Sequence, residues 1–265
     1  MGKSIVVTSG KGGVGKTTCV ANVAAQLARR GKKVVVVDGD TGLRNLDIAM
    51  RLEGDIVYNL LDVISGKCGL REALVRSKDV QGLYLLPTAQ AKDKTYVTAE
   101  DMGKVVDLLA MFFDYVIIDC PAGIEQGFVA AIQAASQALV VVTPELPSVR
   151  DAARVMTILE NNGVSDISII VNRIRPNMVK EHKMLTVRDI EEVLKTKVVA
   201  AINDDDYVIE SVNCGICLSE MSQAGLAFAD AARSILGEET TPFVKRTLVQ
   251  RIRERFRRGC RTEIT

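Results

Sequence analysis

Three stretches of this sequence gather the residue types that handle phosphate and a hard cation. The first is GKGGVGKTT, residues 10–18. Gly10, Gly15, Lys16 and Thr17 have the spacing in which glycines let backbone N–H groups curl around phosphate oxygens. Lys16 is placed to reach the β and γ phosphates of a nucleotide, and the Thr17 hydroxyl to hold Mg2+. The candidate ATP site is therefore Gly10, Lys11, Gly12, Gly13, Val14, Gly15, Lys16, Thr17 and Thr18. Within it Lys11 is a second lysine that phosphate binding alone does not require. The second stretch, YVIIDCPAG, carries Asp119 at the end of an apolar run, where a carboxylate can hold the metal through water. Pro121 and Gly123 then open a loop able to sense a γ-phosphate. In the third, VDGDTGLRNLD, Asp38 and Asp40 stand two residues apart, so their side chains need not point the same way. One can lie near the metal while the other faces an attacking water.

Positioning these groups requires strands that end where the chemistry begins. Short apolar, β-branched runs at 4–9, 34–38, 83–87, 115–119, 138–143, 167–172 and 198–202 read as strands. Segments of helical period lie between them, near 16–30, 57–64, 98–112, 127–135, 148–162, 186–195 and 222–237. Continuous apolar strands separated by helices mean a parallel sheet covered on both faces. The expected fold class is α/β, a doubly wound, mostly parallel sheet with a phosphate-binding loop, followed by a C-terminal amphipathic helix. Ligand is expected beyond the carboxyl ends of the strands. One domain is expected over 1–237, then a linker at 238–242, the helix at 243–259 and a short tail at 260–265.

Composition narrows the function classes. The chain has 265 residues, 48% of them hydrophobic, and a net charge of +1. Eight Lys/Arg fall after Pro242 against two acids, which leaves the body near −5 and without general affinity for nucleic acid. Six cysteines (Cys19, Cys68, Cys120, Cys214, Cys217, Cys260) follow no disulfide framework, which points to a reducing compartment such as cytosol or plastid stroma. No signal peptide, acylation signal or spanning helix is expected, since no apolar stretch approaches the roughly 20 residues that spanning needs.

The second lysine in GKGGVGKTT, with GLRNLD (42–47) and DCPAGIE (119–125), is similar to the ParA/MinD family of deviant phosphate-loop ATPases. The resemblance runs from Lys3 to the tail. GLRNLD, PAGIE and SVRDA (148–152) together favour its septum site-determining members over its partition ATPases. It implies a slow, partner-stimulated ATPase that recruits a division inhibitor to the membrane. Lys11 would reach across an ATP-dependent homodimer to phosphates held by the other subunit, as an arginine finger does. Asp40 would position the hydrolytic water, so Lys11, Lys16 and Asp40 are the catalytic candidates. Thr17, Asp38 and Asp119 would serve the metal, and Asn172 would read adenine, its amide able both to donate and to accept. Arg150 and Asp151 would meet a MinC-like inhibitor and a MinE-like activator or other topological factor. The chain departs from the family at Asn203, Asp204 and Asp205, where Pro-Glu-Asp is usual, and at Ala153, where a second acid is usual.

The tail PFVKRTLVQRIRERFRRG has the pattern of a helix lying in the headgroup plane. On a helical wheel Val244, Leu248, Val249, Ile252 and Phe256 fall within about 140°, with most arginines outside that arc. Anionic membrane is the expected partner, at the inner face of the cell membrane or the plastid envelope, and two tails in a dimer would bind far better than one. Two other readings use the same engine: a DNA partition ATPase, and an iron–sulfur carrier built on Cys214 and Cys217 of NCGIC.

Overall fold

The computed structural model describes residues 1–40, 45–88, 97–121 and 126–240. The strands are β1 Lys3–Thr8, β2 Val34–Asp38, β3 Val75–Arg76, β4 Leu83–Leu86, β5 Tyr115–Asp119, β6 Gln137–Val142, β7 Asp166–Ile174 and β8 Val198–Asn203. They form one sheet in the order β3-β4-β2-β5-β1-β6-β7-β8, parallel except for the β3–β4 pair. The helices are α1 Lys16–Ala28, α2 Leu46–Ala49, α3 Leu60–Ile64, α4 Leu70–Ala73, α5 Ala99–Ala110, α6 Gln126–Gln133, α7 Leu146–Asn161, α8 Pro176–Lys180, α9 Val187–Leu194, α10 Asp206–Asn213 and α11 Gln223–Ile235. The doubly wound α/β expectation holds, and the chain crosses from one side of β1 to the other between β5 and β6.

Strand alternation splits the core into two layers. Ile5, Val7, Val34, Val36 and Ile117 pack with α1 and α11 on one face. Val6, Val35, Val37, Val116 and Ile118 pack with α5, α6, α7 and α9 on the other. Every residue of β2 and β5 is buried, as a central parallel strand covered on both faces must be.

All seven expected strands and the seven helices expected within residues 1–237 are present. The helix expected from residue 57 starts at Leu60, because Asn59 caps it: its side chain accepts from the Leu61 and Asp62 amides, and the Asp62 carboxylate accepts from the Asn59 amide. β3, α2, α4, α8 and α10 were not expected. Four of them are five residues or shorter, too short to establish a period. α10 begins in a run of acids, DDDY, and is started by the Asp205 carboxylate accepting from the Tyr207 amide. Among the described residues no helix is long and apolar enough to cross a membrane. The expected linker is described to Thr240, and the amphipathic helix with Val244, Leu248, Val249, Ile252 and Phe256 lies outside the described residues.

Candidate nucleotide-binding site

The candidate residues converge at the carboxyl edge of the central strands. β1 ends at Thr8, and the chain from Ser9 to Gly15 turns back into α1. Gly13 and Gly15 take φ of 79° and 90°, a left-handed region that favours glycine, and Gly15 is the residue from which α1 starts. A Cβ on Gly15 would lie 2.3 Å from the Asn172 amide nitrogen. That nitrogen, Nδ2, donates to the Val14 carbonyl at 2.8 Å, so Asn172 props the loop from beneath. β7 makes this possible with a register shift between Val171 and Ile174, where Arg173 takes φ 58° and Asn172 is turned inward.

The two lysines face opposite ways. Lys16 is buried, and its ammonium donates to the Asp119 carboxylate. Lys11 is exposed, with Nζ 3.4 Å from the Glu145 carboxylate at the start of α7. Glu145 lies 134 residues away in sequence, so no local signal marks it.

Asp38 and Asp119 are register partners on adjacent strands, each 2% exposed. Burial pushes the Asp38 carboxyl well above the usual carboxylate range, with the neighbouring Asp119 adding to it and the Asp40 amide opposing. Burial likewise raises Asp119, while Lys16 and Thr17 pull it down. Asp40 is half-buried, and its amide donates to Asp38 Oδ1 at 3.1 Å. Two close carboxylates and a hydroxyl, all oxygen donors in a place that disfavours negative charge, suit a hard divalent cation. The exposed backbone of Gly12 and Gly13 beside a helix N-terminus suits phosphate. The residues present therefore fit a magnesium nucleotide.

α7 closes one side. The Ser148 hydroxyl accepts from the Thr143 amide at 3.0 Å, and Gly10 lies so close that a Cβ there would be 2.5 Å from the Asp151 backbone. Arg150 is exposed and Asp151 half-buried, its nearest cation being Arg154 at 3.9 Å. Where the family pattern is broken, Asp204 pairs with Arg175 at 2.7 Å, and Asp205 is committed to capping α10. Gly42, Leu43, Arg44 and residues 122–125, including Gly123, lie outside the described residues. Cys214 is exposed, but Cys217 is buried, its thiol pushed up to about 11 by burial and set 3.6 Å from the Ala21 carbonyl. Such a thiol is a poor thiolate ligand.

Comparison with known proteins agrees with this geometry. A family model described as an AAA domain matches residues 2–161. The septum site-determining protein MinD of Synechocystis is 47% identical, over 98% of this chain and 100% of that protein. MinD of Bacillus subtilis is 46% identical, over 90% of both chains. Among solved structures, the MinC:MinD cell division protein complex of Aquifex aeolicus superposes with a TM-score of 0.85 at 41% identity, over 92% of this chain and 98% of that one. MinD of Pyrococcus horikoshii, solved with Mg-ADP, gives 0.80 at 28% identity, over 89% and 96%. With the fold, the loop carrying two lysines and these relatives in agreement, the chain belongs to the MinD family of septum site-determining proteins.

Proposed function

We propose that this protein is an ATP-gated membrane switch for division-site placement: it binds ATP with Mg2+, pairs with a second copy, and recruits a MinC-like inhibitor to the membrane until hydrolysis releases it. The observation that carries the reading is the division of labour between the lysines. Lys16 turns inward to Asp119, whereas Lys11 stands on the outer surface of the same loop, free to reach a partner's phosphates once Glu145 gives it up. Similarity to a MinD chain solved with MinC, and to another solved with Mg-ADP, supports the inhibitor and the cofactor.

In this reading the Gly12–Lys16 backbone and Lys16 hold phosphate, and Thr17 holds Mg2+ with Asp119 and Asp38 alongside. When bound, the metal offsets phosphate charge during transfer. Asp40 orients the water, and Asn172 supports the loop as well as meeting the base. Arg150 and Asp151 on α7 meet the inhibitor and a MinE-like or other activator. Turnover is slow until a partner stimulates it. The unit through Gly237 is the ATPase domain, ended by a left-handed glycine with φ 80°. Residues 238–242 tether the 243–259 helix to it, and 260–265 form a short tail. Location is peripheral, at the cytoplasmic face of a cell membrane or its stromal equivalent. Co-sedimentation with anionic liposomes tests this, using the full chain and one ending at Gly237, in ATP and in ADP. Binding is expected only with both ATP and the tail. Binding indifferent to nucleotide would sink the gating, and binding indifferent to truncation would sink the tail's role.

A further inference from the structure

A loop that binds phosphate through its main chain must point amides at the ligand, and each outward amide commits a carbonyl to face the other way. The N–H of one residue and the C=O of the residue before it share a planar trans peptide and point in opposite directions. A carbonyl turned toward the body needs a donor there, because a buried polar group without a partner is costly.

Two carbonyls of this loop are met by side chains. The Val14 carbonyl accepts from Asn172 Nδ2 at 2.8 Å, which turns the Gly15 amide outward at the start of α1. The Lys11 carbonyl accepts from the Ser9 hydroxyl at 3.0 Å. Ser9 is 1% exposed and Asn172 6%, so both carbonyls are drawn toward buried side chains. The peptide that Ser9 holds carries the Gly12 amide, which must then face the open side of the loop, where Gly12 and Gly13 are exposed. Gly12 has no side chain to stop that peptide from turning over, and Gly13, at φ 79°, adds no steric barrier of its own. The Ser9 hydroxyl supplies the restraint.

The same bond fixes the second lysine. Before Lys11, Gly10 is wedged against α7, where a Cβ would lie 2.5 Å from the Asp151 backbone. After it, the Lys11 carbonyl is tied to Ser9. With the chain held on both sides, the Lys11 side chain leaves the loop on its outer surface, and its Nζ lies 3.4 Å from the Glu145 carboxylate. Ser9 stands just before the first glycine of the loop, outside the spacing that marks a phosphate site.

We propose that Ser9 is a positioning residue: by holding the Lys11 carbonyl inward, it aims the Gly12 amide at phosphate and the Lys11 side chain at the second subunit. The second half rests on the reading of Lys11 as the residue that reaches a partner's phosphates.

Ser9→Ala removes the donor and changes the side chain by one atom. Loss of one neutral hydrogen bond should weaken pyrophosphate binding to the full chain about threefold to tenfold. A dimer contains two such loops, so the ATP-dependent dimer should weaken by the product of the two losses, about tenfold to a hundredfold in analytical sedimentation. Added to Lys11→Ala, the same change should cost pyrophosphate binding the same factor, because that half of the effect runs through the Gly12 amide. In the unaltered chain with glycine nitrogens isotopically labelled, the Gly12 amide resonance should shift when pyrophosphate is added. A Ser9→Ala protein that melts earlier yet binds pyrophosphate as wild type does would show a serine that serves stability alone and overturn the inference, as would an unmoved Gly12 resonance. Dimers that resist Lys11→Ala would overturn the pairing reading and the aiming of the lysine together. Dimers lost with Lys11→Ala but undiminished with Ser9→Ala would overturn the aiming and leave the pairing reading standing.

Discussion

Replacing Asn172 by alanine should weaken the protein before any nucleotide is added. The Asn172 side chain is 6% exposed, and its amide nitrogen donates to the carbonyl of Val14, itself 2% exposed. Truncation removes the donor and leaves a buried acceptor unpaired, a loss of about 1–3 kcal/mol. The lost volume beneath Gly15 adds to it. For a chain of this size each kcal/mol lowers Tm by about 2–4 °C, so a fall of roughly 2–12 °C is expected without ligand. Urea unfolding of nucleotide-free protein would give the same loss directly, and a fluorescent ADP analogue would report the consequence for binding. Because the prop holds the phosphate loop, affinity for pyrophosphate, which has no base, should fall together with affinity for ADP. A variant as stable as wild type that binds pyrophosphate normally and ADP poorly would refute the prop, leaving Asn172 a reader of adenine alone.

Lys11→Ala should keep nucleotide binding but abolish ATP-dependent dimers in analytical sedimentation; unchanged dimers would remove the second lysine from pairing. Asp40→Ala should trap the ATP-loaded, lipid-bound protein, and normal turnover would take Asp40 out of catalysis. Asp38→Asn should stabilise the protein at neutral pH in EDTA without nucleotide. The sign follows from Asp38's raised folded pKa: above the ordinary value of 3.8 the folded state binds more protons than the unfolded one, so stability falls as pH rises. Asparagine keeps an acceptor for the Asp40 amide and removes the charge, so the variant should gain on the order of 1 kcal/mol at pH 7 and lose part of the slope above pH 4. A variant less stable than wild type at pH 7 would show that the buried carboxylate is satisfied as an anion.

The central strands were legible because burial on both faces leaves nothing but apolar residues, as in VVVVD and YVIID, and the carboxylates closing those runs stand out against them. The phosphate loop was legible because its glycines, lysine and threonine are neighbours in sequence. What was not legible is made of pairs far apart in the chain. Glu145 meets Lys11 only because α7 begins where β6 ends beside the loop. Asn172 could be recognised as a polar residue closing an apolar strand, but its partner, the Val14 carbonyl, depends on the β7 register shift that turns the side chain inward. Cys214 and Cys217 show the converse: the spacing suggests a ligand pair, but the chain turns one thiol outward and the other into the core.

These long-range contacts give α7 two grips on one loop. Its first residue neighbours Glu145, which holds Lys11, and a turn later the Asp151 backbone lies against Gly10. Gly10 and Lys11 are adjacent, so the helix and the start of the phosphate loop move as one piece or strain against each other. The two grips differ in kind. The Lys11–Glu145 pair is an exposed ion pair at 3.4 Å, the sort worth at most about 1 kcal/mol, and is easily given up to a stronger anion. The Gly10 contact is a close approach of main chain with no room for a methyl group, and does not yield without moving the helix. On the proposed reading, a lysine that is to meet phosphate in another subunit is held by the weak contact, while a partner gripping the exposed Arg150 beside Asp151 would pull on the stiff one. Release of the lysine and the response to a partner can be set separately on one helix.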